Sequence, residues 1–306
     1  MLETALDIFV HLLVVLAAPP LLVGVINKTK AFFAGRQGPV LLQAYYDIAK
    51  QLRKGSVFSR TTTWVFRAGP VVGVASVVAA SLLVPFGAHQ APVAFSGDLI
   101  LFAYLLALGR FFTAVAALDT GSAFEGMGAA REVSFSALAE PALFFGMLVM
   151  AKLSGQFSLS LMLASPWSAG WMTAGASLVL VAAGWLVVLL VENSRIPVDD
   201  PNTHLELTMI HEVMVLDHSG PAFGLILYSA ATKLFVLGAL LTRIIFPFST
   251  GNSWANWGIF LGSMLLLGVV VGTIESTLAR LRLLRVPQLL ITACLLSAFG
   301  MILLLR

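Results

Sequence analysis

The stretch MTAGASLVLVAAGWLVVLLVEN, residues 172–193, decides the fold. It runs twenty residues without a charge before it reaches Glu192. A helix needs about 20 mostly apolar residues to cross the hydrocarbon core of a bilayer. Working outward, seven more segments meet the same criterion, giving eight expected spans: 5–26, 68–88, 98–118, 135–156, 172–193, 221–246, 256–277 and 286–305. Composition agrees, with 59% hydrophobic and 11% charged residues, against about 25% charged in a soluble domain. The fold class is therefore all-α integral membrane. Residues 1–306 are read as a single membrane domain, because no linker is long enough for another and no internal repeat is visible.

Orientation follows from lysine and arginine, which accumulate in cytoplasmic loops. The first loop holds Lys28, Lys30, Arg36, Lys50, Arg53, Lys54 and Arg60, with Arg67 at its edge. Arg131, Arg195, Arg280, Arg282 and Arg285 follow in the loops after the third, fifth and seventh spans. Thirteen of the 18 basic residues thus fall on one side. Residues 157–171 and 247–255, on the other side, carry no charge. Both termini are expected outside. Met1-Leu2-Glu3 has no basic residue before the first apolar run, so that run is read as a retained helix and not a cleaved signal.

Within the first loop, Leu41, Tyr45, Ile48 and Leu52 recur on one helical face, while Gln43, Asp47, Lys50 and Lys54 take the others. That pattern predicts an amphipathic interfacial helix over Gly38–Lys54. Simple anchoring explains it. So does a site for a lipid-like carrier or a partner, with Arg36, Gln43, Asp47, Arg280 and Arg282 as docking candidates. The lone cysteine, Cys294, excludes an internal disulfide and a cysteine-ligated cluster within this chain. Redox metal must sit in another subunit.

Ionisable residues inside spans cost about 2.5–3.5 kcal/mol each on insertion scales, so each needs a reason. Here they are Arg110, Glu140 and Lys233, with Glu192 and Glu275 near cytoplasmic span ends. Arg110 or Lys233 neutralising Glu140 is the structural explanation. A proton relay is the functional one, since desolvation raises a carboxylate towards neutral pH. The loop ENSRIPVDDPNTHLELTMIHEVMVLDHSG, residues 192–220, sets Glu192, Asp199, Asp200, Glu206, Glu212 and Asp217 beside Arg195. An acidic loop on the basic side implies a function or a basic partner. His204, His211 and His218 share a face at spacing seven. Two helical turns span about 10.5 Å, too far for one zinc ion with bonds of about 2.1 Å. Gly121, Gly126 and Gly128 lack the lysine of a phosphate loop. Asp199-Asp200 with Asp119, Glu125 and Glu132 is a loose candidate for the magnesium site of a membrane prenyltransferase.

Gly35-Arg36-Gln37-Gly38-Pro39, Gly109-Arg110-Phe111-Phe112, Leu118-Asp119-Thr120-Gly121-Ser122, Gly128-Ala129-Ala130-Arg131-Glu132, Glu140-Pro141, Ile196-Pro197-Val198-Asp199 and Ala279-Arg280-Leu281-Arg282 stand in order along the chain. Together they resemble the membrane-subunit family shared by complex I, where it sits at the heel of the membrane arm, and the group 4 [NiFe] hydrogenases. The resemblance is to the formate hydrogenlyase or hydrogenase-4 branch. The departures fall in the acidic loop, where Asn202 and His204 replace glutamates of the family.

The resemblance implies a membrane anchor and coupling subunit in the cytoplasmic membrane of a prokaryote. Its implied partners are hydrogenase-like large and small subunits, an iron–sulfur protein and antiporter-like membrane subunits, with iron–sulfur and nickel–iron centres in those partners. It implies no cofactor in this chain, leaves quinone use open, and offers no nucleic-acid role. Candidate relay residues are Glu140, Glu192, Asp199, Glu206, Glu212, Asp217 and Glu275. Their charge partners are Arg110, Arg131, Lys233 and Arg195. A purely structural anchor is the alternative, with a secondary transporter behind it, since no repeat or matched broken helices appear.

Overall fold

The computed structural model describes residues 2–164, 167–199 and 209–305. In chain order its helices are α1 (Leu2–Phe33), α2 (Gln43–Leu52), α3 (Trp64–Ser81), α4 (Asp98–Asp119), α5 (Ala123–Ser154) and α6 (Leu159–Ala164). They continue with α7 (Trp167–Glu192), α8 (His211–Met214), α9 (Gly220–Ile245), α10 (Ser253–Thr277) and α11 (Val286–Leu305). Among the described residues there is no strand, and eight helices are long and apolar enough to cross a membrane: α1, α3, α4, α5, α7, α9, α10 and α11. Helices suit that medium because they satisfy their own backbone polar groups.

Several span edges differ from the hydropathy reading, α1 running on to Phe33 past the expected 26, and two have a clear local reason. α3 stops at Ser81, short of the expected 88, ahead of Pro85, which has no N–H to continue a ladder. Leu83, Val84 and Phe86 nevertheless stay buried, so their apolarity reflects core packing outside the helix. α5 begins at Ala123, twelve residues before the expected start at 135. The sequence AFEGMGAARE is rich in good helix formers, but its charges remove it from any hydropathy window. Glu125, Arg131 and Glu132 therefore stand on a helix where a loop was expected.

α9 is the central helix and the most deeply buried of the eight. It packs against α1, α2, α3, α7 and α10, while α3 pairs with α4, α1 with α10, and α11 with α5 and α7. Small residues permit the tightest of these approaches. A Cβ on Gly184 would lie 2.9 Å from the Ala293 carbonyl oxygen, and one on Gly300 would lie 3.0 Å from that of Ser177.

α1 carries Pro19 and Pro20 in mid-helix, which removes the two N–H groups that would bond the carbonyls of Val15 and Leu16. The Tyr228 hydroxyl on α9 donates to both, at 3.1 and 3.4 Å. The Tyr45 hydroxyl on α2 donates to the Ala17 carbonyl. The two prolines thereby help pin α9 to α1, and Tyr45 ties α2 to the same stretch. At the start of α10, the Asp7 carboxylate accepts from Ser253 Oγ at 3.1 Å and Trp257 Nε1 at 3.4 Å. The opposite end of α10 carries Glu275 and the charged groups described next.

Candidate functional site

Arg110, on α4, organises the charges inside the bundle. Its guanidinium donates to Glu140 Oε1 on α5 at 2.7 Å and to Glu192 Oε1 and Oε2 on α7 at 2.9 and 2.8 Å. Lys233 Nζ, on α9, lies 2.8 Å from Glu192 Oε2. Arg110 thus pairs with Glu140 as expected, while Lys233 pairs with Glu192. Glu192 is held between two cations and its side chain is only 6% exposed. The Glu140 side chain is 45% exposed, facing a crevice between α4 and α5. Such a pair is costly to bury unless its geometry and hydrogen bonds are good, and here four helices converge to supply them.

Glu132, which the sequence offers only as part of a loose magnesium-site candidate, joins this group instead. It is buried on α5 and lines the same cavity as Arg110, Glu192 and Lys233. Residues 132, 136 and 140 are spaced by four, one helical face, and Ser136 between them is buried. That spacing was the available signal, but it speaks only once α5 is known to extend upstream of 135.

A second cluster sits at the ends of α7 and α10. Glu275 lies 2.7 Å from Lys30 Nζ and 3.3 Å from Arg195 NH1. Arg280 NH2 donates to Asp199 Oδ1 at 2.9 Å, and Asp199 Oδ2 accepts from the N–H groups of Ile210 and His211 at 3.0 and 3.3 Å. Arg131 NH1 donates to the Met209 carbonyl at 2.9 Å. The Leu281 N–H donates to the Pro197 carbonyl at 2.8 Å. These bonds clasp residues 195–199 and 209–214 to α5 and to the segment after α10. Asp199 here fastens the loop, with three of its bonds directed at structural donors.

The remaining candidates divide. Gln43 donates to Asp47 at 2.9 Å, and both line a cavity between α2 and α9 together with Glu212. The Asp217 side chain is exposed, though its N–H donates to Glu125 Oε1 at 3.1 Å. Arg36 and Arg282 are exposed and join neither cluster. Glu206, His204 and Asp200 lie outside the described residues. His218 stacks on Phe66 with ring centroids 3.9 Å apart, and burial pushes its imidazole down to about 4.

Four cavities with shared walls connect these groups. One of about 370 Å³ is lined by Lys54, Glu212 and His218. The next, about 360 Å³ between α2 and α9, shares Glu212 and adds Asp47, Arg195 and His211. A third, about 80 Å³, shares His211 and adds Glu132 and Lys233. The fourth, about 240 Å³, shares Arg110 and Glu192 and reaches Glu140 and Tyr104. Each is polar on part of its wall and has room for water. Chemically, the row can pass protons between titratable groups from a surface loop to a mid-span carboxylate. Among the described residues, no three His, Cys, Asp or Glu side chains gather in a way that would hold a metal.

Known proteins share this chain's sequence and its fold. It is 31% identical over 287 residues to formate hydrogenlyase subunit 4 of Escherichia coli K12, covering 92% of each chain. Hydrogenase-4 component C of the same organism is 31% identical over 278 residues, covering 89% of this chain and 86% of that one. A subunit of NADH-quinone oxidoreductase from Rubrobacter xylanophilus is 27% identical over 279 residues, covering 84% of this chain and 81% of its own. A chain from the structure of the membrane-bound sulfane sulfur reductase, an archaeal respiratory membrane complex, superposes with a TM-score of 0.83 over 99% of both chains at 20% identity, which shows a common fold. The family model described as NADH dehydrogenase matches residues 6–306. With that match over nearly its whole length, the chain belongs to the NADH dehydrogenase family.

Proposed function

We propose that this chain anchors a cytoplasmic electron-transfer arm and couples it to proton movement in the membrane. The chain is a multi-pass protein of the cytoplasmic membrane and a membrane subunit of a complex I-like, group 4 hydrogenase-type respiratory complex. The finer reading is that electron transfer in the arm changes charge or geometry at residues 192–220. Hydrogenase-like large and small subunits and an iron–sulfur protein would form that arm and carry its redox centres. Antiporter-like membrane subunits would share the ion movement. The odd-numbered loops face the cytoplasm, both termini lie outside, and α2 rests at the membrane surface.

One observation carries the coupling reading. The four cavities share walls from Lys54 to Glu140, and titratable groups stand at each shared wall: Glu212, then His211, then Arg110 with Glu192. Glu140, although paired with Arg110, keeps 45% of its side chain open beside the fourth cavity, where water can reach it. The anchoring reading does suit Asp199 and Glu275, which are held by several donors each. The relay is therefore Glu212, Glu132, Glu192 and Glu140, and the clasp is Asp199, Glu275, Arg195, Arg131 and Arg280. The test is Glu140→Gln in the assembled complex reconstituted into vesicles. Loss of proton movement with normal assembly and electron transfer supports coupling. Unchanged proton movement, or failure to assemble, assigns Glu140 to anchoring.

A further inference from the structure

His211 stands in the wall shared by the cavity between α2 and α9 and the cavity inside the bundle. It lies on α8, a single turn held by the Asp199 carboxylate through the N–H groups of Ile210 and His211. On one side it lines the cavity that contains Glu132, Glu192 and Lys233. On the other side it lines the cavity that contains Asp47, Arg195, Asp199 and Glu212. Asn193, Ser194, Ile226 and Ala230 also line both cavities, but none of these side chains titrates. The Asn193 amide is in addition committed to the Leu189 carbonyl at 2.7 Å. His211 is thus the titratable side chain common to the two walls.

We propose that His211 hands protons from the cavity between α2 and α9 to the carboxylates of Glu132 and Glu192. This rests on the coupling reading above and names the group through which the transfer passes. An imidazole has two nitrogens on opposite edges of one ring, so a neutral ring accepts at one and donates at the other. A proton arriving from cavity water binds the unprotonated nitrogen and makes a short-lived imidazolium. The proton on the other nitrogen then leaves to a carboxylate, directly or through a water, and the ring returns to its first tautomer. One proton enters, one leaves, and His211 is unchanged. Burial, and then the neighbouring Lys233 ammonium, push the imidazole down to about 4. The ring is therefore neutral at cellular pH, and burial with Lys233 drives the proton onward once the imidazolium forms.

The experiment uses the whole complex in vesicles, with electrons supplied by a reduced viologen dye and proton movement followed by an enclosed pH indicator. His211→Gln and His211→Phe should leave electron transfer in place and lower protons moved per electron by about tenfold or more. In His211→Ala, added imidazole should restore movement, which a merely structural role would not allow. Normal movement in the Gln or Phe variant overturns the proposal, as does loss in the Ala variant that imidazole does not rescue. Loss of assembly in all three variants also overturns it and assigns His211 to holding the turn. If the unaltered complex moves no protons, the coupling reading itself fails. If it moves them and His211→Gln does too, only the role of His211 fails.

Discussion

Glu192 and Glu140 share Arg110 but not their surroundings, and the difference fixes what each substitution does. Glu192→Gln leaves Arg110 and Lys233 facing each other without their common anion. Breaking a buried pair in this way costs about 3–5 kcal/mol, so the variant is expected to unfold at clearly lower temperature and to assemble poorly. Glu140→Gln removes a charge that is nearly half exposed and should cost under about 1 kcal/mol. Thermal unfolding of the two purified variants separates them; equal losses would contradict this network. His218 gives a pH effect at the same scale. Its folded value of about 4 lies below the ordinary 6.5, so the folded state binds fewer protons than the unfolded state between those values. The stability it contributes is fully present above pH 6.5 and is lost as pH falls towards 4. By pH 5 the loss is about 2 kcal/mol. His218→Phe, which can keep the stack on Phe66, should lessen the drop in Tm between pH 7.5 and 5, measured by thermal unfolding. A drop as large as that of the unaltered protein would show that His218 does not titrate in this way.

At the scale of elements, the segment 209–214 sits against the N-terminal part of α5, and Gly128 is the contact. A Cβ there would overlap Val213 Cγ1 and lie 2.9 Å from the Ile210 carbonyl oxygen. Gly128→Ala must push α8 off α5, at about 1–3 kcal/mol for overpacking, and it should displace His211 and Met209 with it. Thermal unfolding measures the first effect, and proton movement per electron in the complex measures the second. Stability equal to the unaltered protein would mean the turn is not seated on Gly128. The prolines of α1 act at this scale too. They create the carbonyl vacancies at Val15 and Leu16 that Tyr228 fills, so a sequence feature that weakens a lone helix becomes the joint between α1 and α9.

Across the whole molecule, the charge asymmetry of the loops makes a prediction about direction. In a Cys294→Ser background, Thr250→Cys should react with a membrane-impermeant maleimide from outside intact cells. Arg60→Cys should react only in inverted vesicles. The opposite pattern would reverse the orientation and put the clasp at Asp199 and Glu275 outside. The sequence by itself determined the helical class, the number of spans and the resemblance to the family. Those properties depend on the free energy of moving each segment from water to hydrocarbon, which is nearly additive along the chain. Arg110, Glu140, Glu192 and Lys233 were conspicuous for the same reason, since a charge in an apolar run is legible without knowing its neighbours. Which carboxylate takes which cation was decided only by the tertiary structure, because Glu192 lies 82 residues from Arg110 and α9 must cross between α3 and α7 to bring Lys233 to it. The same holds for Glu132, hidden by a helix that begins among charges, and for His211, whose place between two cavities exists only when α2, α8 and α9 have packed. Hydropathy is a property of segments, whereas pairing and shared walls are properties of distances that packing alone sets.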